Sequence, residues 1–93
     1  MYTAEIYFST SQGTPATKVM PAFDARNLNH AIRRMVKTIT NTGKYGMHTR
    51  FNVWCDDGQA AHVYVNQVMG QHAGVTIDGT HYGPTEFVSA FQG

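Results

Sequence analysis

Five histidines and one cysteine are the residues of this 93-residue chain best suited to metal or nucleophilic chemistry, and their spacing decides what they can do. His30, His48, His62, His72 and His81 are scattered, whereas zinc sites usually preorganise ligands in close pairs such as His-x3-His or Cys-x2-Cys, and neither spacing occurs. Cys55 alternates onto the same side as Phe51 and Val53, where a thiol packs rather than reacts, and a nucleophile needs a histidine and an orienting group beside it. The neighbouring carboxylates Asp56 and Asp57 precede Gly58 in a stretch that reads as a hairpin tip, a position where aspartate is turn chemistry. No GxxxxGK[ST] or GxGxxG run offers a phosphate cradle. The expectation is therefore a chain without catalytic residues, metal or cofactor, and not an enzyme.

Binding chemistry is better represented. On a helix beginning at Leu28, taken as 0° with about 100° per residue, Arg33 falls near 140°, Lys37 near 180°, His30 near 200° and Arg34 near 240°. These residues form a basic stripe opposite the apolar one, with Arg26 just ahead of it and no acid anywhere from 26 to 50 to neutralise it. Such a stripe suits a phosphate backbone or an acidic protein surface, and a partner is expected to dock on it with Arg33 and Lys37 at the centre and Arg26, His30 and Arg34 around them; the plainer alternative is an ordinary solvated helix face. A second candidate is the side of the sheet turned away from that helix. Tyr7, Trp54, Tyr64 and His62 alternate onto it, and exposed rings mark protein interfaces or platforms on which single-stranded bases stack. Cover by the C-terminal segment or by a second copy of the chain, a homodimer through this face, is the competing expectation.

These faces must be held by a small set of elements. Tyr2, Ala4, Ile6 and Phe8 alternate with Thr3, Glu5, Tyr7 and Ser9, the pattern of a half-buried strand. The turn residues of STSQGTP follow, then a second strand over 16–23, which Pro21 confines to an edge or an end. Leu28, Ala31, Ile32, Met35, Val36 and Ile39 make one apolar helical stripe. Asp24 or Asn27 caps its start and Asn41-Thr42-Gly43 its end. Residues 50–55 and 61–66 alternate again around the tip Asp56–Gln59, and Gly70 to Gly74 reads as loop. Val75–Ile77, Asp78-Gly79 and Thr80–Tyr82 give the strongest hairpin signal in the chain. Phe87, Val88 and Phe91 fit either a short terminal helix or a last strand. The sum is one compact α+β domain over 1–93: a single amphipathic helix on one face of a mostly antiparallel sheet, in the order ββα and then four short strands.

Composition narrows the class. With 42% hydrophobic, 12% aromatic and 14% charged residues the chain is globular rather than disordered. One cysteine excludes an internal disulfide. Neither a signal-like start nor an apolar run of about 20 residues occurs, so a cytoplasmic protein with no membrane partner is expected. The net charge of +1 hides a basic middle and an acidic final stretch, with Asp56, Asp57, Asp78 and Glu86 unbalanced after residue 50. In layout, a β-hairpin followed by a capped helix beginning FDARNLNHAIRRMV and then more strands, the chain resembles small inhibitor proteins encoded by bacteriophages and other mobile elements, including anti-CRISPR proteins. That resemblance covers size and architecture, without a shared motif. It implies a non-enzymatic protein acting in the host cell cytoplasm, docking on an acidic surface of a host defence or nucleic-acid-processing complex and blocking it sterically. The alternative is a direct nucleic-acid-binding domain using the basic helix and the aromatic sheet face, against which stands the small net charge.

Overall fold

The computed structural model describes residues 1–9, 12–42, 48–68 and 71–91. Six strands, β1 (Tyr2–Ser9), β2 (Pro15–Val19), β3 (His48–Cys55), β4 (Ala60–Val68), β5 (Gln71–Ile77) and β6 (Thr80–Tyr82), form one sheet in the order β2-β1-β3-β4-β5-β6. Every neighbouring pair is antiparallel. Helix α1 (Leu28–Thr42) enters between β2 and β3, and a short α2 (Pro84–Ala90) closes the chain.

Both helices pack on the same face. Ala31, Ile32, Met35, Val36 and Ile39 of α1 are buried in one cluster with Ala4, Ile6, Phe51, Val53, Ala61, Val63, Val65, Val75 and Ile77 of the sheet. Period two on the strands meets period 3.6 on the helix, which is why most of this core was legible; Leu28, Phe8 and Cys55, expected on the same side, are only partly buried at its margin. α2 adds Phe87 and Phe91, stacked at 4.9 Å, and the Phe91 ring meets Tyr82 edge-on at 5.4 Å. The C-terminal segment is thus helical, and its rings lie on the core side. Among the described residues neither helix lies on the other side of the sheet.

Local chemistry explains the joints. Asn27 caps α1, its Oδ1 accepting the His30 N–H at 2.9 Å. Asp57 Oδ1 accepts the Gln59 N–H at 3.0 Å in the β3–β4 turn, where Gly58 supplies a φ of 97°. At the β5–β6 turn Asp78 and Gly79 both take positive φ, 48° and 90°, as a two-residue hairpin of this hand requires.

Two boundaries differ from the sequence expectation. β2 stops at Val19 rather than 23, and Pro21 lies just past its end at the edge of the sheet, where a proline costs no ladder bond. The chain still follows β1, with Met20 N–H donating to Ala4 O at 2.8 Å and Tyr2 and Phe23 exchanging a pair of backbone hydrogen bonds at 2.8 and 2.9 Å. The stretch expected as loop over 70–74 instead belongs to β5 from Gln71 onward, paired with the extended end of β4 across a bulge at Asn66/Gln67. Glycine and alanine hid the alternation there. Gly74 is needed for close approach: a Cβ at that position would come within 2.7 Å of Cε1 of His81. The proposed helix stop at Gly43 lies outside the described residues.

Candidate binding surfaces

The face of the sheet turned away from the two helices is built by register. Thr17, Tyr7, Arg50, Tyr64, Thr76 and His81 are successive partners across all six strands, so they form one row perpendicular to the strands. Beside it runs a second row, Val19, Glu5, Asn52 and His62, with Asp78 tied to its end: His62 N–H donates to Asp78 Oδ1, and Asp78 N–H to His62 O, both at 2.9 Å. Between these rows lies a depression of about 410 Å³, lined by Tyr7, Arg50, Asn52, His62, Tyr64 and Thr76 with the Asp78-Gly79 turn at its rim.

Its polar groups are wired in one direction. The Tyr7 phenol is hydrogen-bonded to the Glu5 carboxylate, which can only accept, so the phenol donates there. Asn52 Nδ2 donates to Tyr7 Oη at 3.2 Å, which turns Asn52 Oδ1 towards Nδ1 of His62, with which it is in hydrogen-bond contact. An amide oxygen only accepts, so His62 carries its proton on Nδ1 and presents Nε2 to solvent as an acceptor when neutral. The bond to Glu5, assisted by burial and the carboxylate's charge, holds the Tyr7 phenol above its ordinary value of 10.0 against the opposing pull of Asn52 and Arg50. Thr76 Oγ1 and His81 Nδ1 pair at 3.2 Å. Among the described residues Arg50 is exposed and makes no ion pair.

Of the rings expected on this face, Tyr7 and Tyr64 flank Arg50 in the same row, whereas Trp54 stands four residues along β3, roughly 13 Å away, between Thr3 and Ala60. All three are half-buried, and His62 is exposed. The aromatic side of the sheet is therefore a pair of tyrosines around a polar hollow, with a separate tryptophan. Arg50 and Asn52 were visible as outward residues of an alternating strand. Their convergence with Asp78, Thr76 and His81 depends on register, which no local pattern encodes.

On α1 the basic stripe divides. Arg34 Nη1 donates to the backbone oxygen of Asp24 at 2.9 Å, and its guanidinium carbon sits 5.0 Å from the centre of the Phe23 ring. His30 Nδ1 accepts the N–H of Arg26 at 3.1 Å. Two of the five basic side chains thus fasten the segment leading into the helix. Arg33 is half-buried, and the side chains of Arg26 and Lys37 are exposed.

The remaining chemistry-bearing residues stay apart. Cys55 is half-buried against the core edge, paired with the phenol of Tyr2. Among the described residues no group of three histidine, cysteine, aspartate or glutamate side chains could hold a metal ion, and no helix is long and apolar enough to cross a membrane. No family model, no curated protein and no solved structure matches this chain, so a functional reading must come from its two exposed faces.

Proposed function

We propose that the chain is a non-enzymatic binding domain that docks through the face of its sheet turned away from the helices on a host defence or nucleic-acid-processing complex and blocks it by occupying its surface. One observation carries the choice of face: rings and hydrogen-bonding side chains run in a continuous row across all six strands around a hollow, with both helices on the other side. Half-buried tyrosine and tryptophan are the residues that anchor interfaces, because they bury large area at little entropic cost. The steric mode of action follows from the resemblance in size and layout. The helix face takes the lesser part. His30 and Arg34 are committed to the β2–α1 connection, and the exposed charges of Arg26 and Lys37 suit steering of an acidic partner more than a contact centre.

Pull-down from a bacterial lysate identifies the partner, and affinities are then measured with that partner purified. Trp54→Ala/Tyr64→Ala should weaken binding by about tenfold or more with the fold retained. Arg33→Glu/Lys37→Glu should mainly slow association, and most at low salt. The opposite ranking would move the site to the helix.

A further inference from the structure

We propose that the hollow between Tyr7, Arg50 and Tyr64 is a nucleotide site, taking one planar base with its sugar and phosphate, either as a free nucleoside monophosphate or as one unit of a single strand. This rests on the reading of the open sheet face as the docking surface, and names what one part of that face holds. Its volume of about 410 Å³ lies in the range of small-ligand sites, roughly 300–1,000 Å³.

The chemistry of the walls is two-ended. Arg50 stands at the centre of the row with no carboxylate partner among the described residues, and a guanidinium can fork two N–H groups onto a phosphate. At the other end are acceptors. Among the described residues Nε2 of His62 has no hydrogen-bond partner, and only one carboxylate oxygen of Asp78 is engaged, by the His62 N–H. Amino and imino groups of a base, or the hydroxyls of a ribose, supply donors for that end. Between the ends the half-buried ring of Tyr7 lines the hollow, an aromatic wall of the kind on which bases stack, which contributes about 1–3 kcal/mol per base on alanine substitution in single-strand binders.

Alternatives fit less well. A bare inorganic anion would meet Arg50 but also the negative charges of Glu5 and Asp78, with nothing to satisfy the acceptors. A long polyanion lying across the face would pass both carboxylates with one arginine to offset them. The site therefore suits a single phosphate attached to a donor-rich ring.

The test is an NMR titration of the ¹⁵N-labelled full chain with each common nucleoside monophosphate, the matching nucleosides, inorganic phosphate, a short mixed-sequence single strand and an acidic peptide. Expected are shifts confined to the neighbourhood of Tyr7, Arg50, His62, Tyr64, Thr76 and Asp78 with monophosphates, and binding weaker by about tenfold or more for nucleosides. Arg50→Gln, checked for an unchanged spectrum elsewhere, should erase that difference between nucleotide and nucleoside. The monophosphate affinity should fall with rising salt, because the contact between Arg50 and the phosphate is exposed and screened. A strand binding at least about tenfold tighter than the monophosphates assigns the site to single strands; equal affinity assigns it to free nucleotides. Absence of shifts on this face at about 10 mM monophosphate, shifts mapping to α1, or a response to the acidic peptide alone would overturn the proposal. If nucleotides fail while Trp54→Ala/Tyr64→Ala still abolishes partner binding, only the nucleotide site falls. If nucleotides bind and that double variant leaves partner binding intact, only the docking reading falls.

Discussion

Tyr7 and Tyr2 hold their protons more tightly in the folded chain than a free phenol does, and this couples stability to alkaline pH. For Tyr7 the main cause is its hydrogen bond to Glu5; for Tyr2 it is burial, reinforced by Cys55 and Asp57. In the unfolded chain both ionise at their ordinary value of 10.0, so above that pH the unfolded state gives up protons that the folded state retains. The contribution of these two phenols to stability is therefore fully present below about pH 10 and is lost as pH rises through the folded values. Thermal melting from about pH 8 to 11 should show a falling alkaline limb that is shallower in Tyr7→Phe, which has no phenol proton at that position to lose. An equally steep limb would show that the Tyr7–Glu5 bond does not form. At this scale the sequence was informative where alternation alone sorts residues, as for Tyr7, Tyr64 and His62. It was silent where partners come from distant strands: Asp78 reads as a turn residue, and only its bond to His62 brings it to the rim of the hollow.

Among the elements, α1 and the segment before it are held by different means. The helix is fixed by its apolar stripe, and the connection by Arg34, which reaches back ten residues to the Asp24 carbonyl and lies over Phe23. Arg34→Ala should cost on the order of 1–2 kcal/mol, because it removes a charged hydrogen bond and a cation–π interaction together. Lys37→Ala, one turn on and exposed, should stay within about 0.5 kcal/mol. Denaturant melts of the two variants make the comparison, and equal costs would show that the arginine is mere surface. Helical periodicity had put Arg34 and Lys37 in one class, because a helical wheel sees only the helix and not the segment folded back against it. The wheel did place the core side of α1 correctly. It could not settle β5, where Gly74 lets the His81 ring approach and pairing with β4, not propensity, makes the strand.

For the molecule as a whole, one core serves both helices and all the central strands. Ile32 is 2% exposed within it, so Ile32→Asp would bury an unpaired carboxylate, and the domain should lose cooperative melting at neutral pH. A variant melting within a few degrees of the parent would mean the helix packs by another side. The α+β class, the single layer of sheet and the order of its first elements follow from patterning alone. The helical end of the chain did not, because Phe87, Val88 and Phe91 suit two periods in so short a stretch.

The strand order also sets a sequence of events in synthesis. Every pairing in the sheet joins strands consecutive in the chain except that of β1 with β3, and β3 is not complete until Cys55, 46 residues after Ser9 closes β1. At about 5–20 residues per second a ribosome needs roughly 2–10 s to make that stretch. During this interval the inner edge of β1, with Ala4 and Ile6 facing a core not yet made, is open to any other strand. The nascent chain is therefore most exposed to mispairing before its third strand emerges, and the four-strand meander that follows is what closes it.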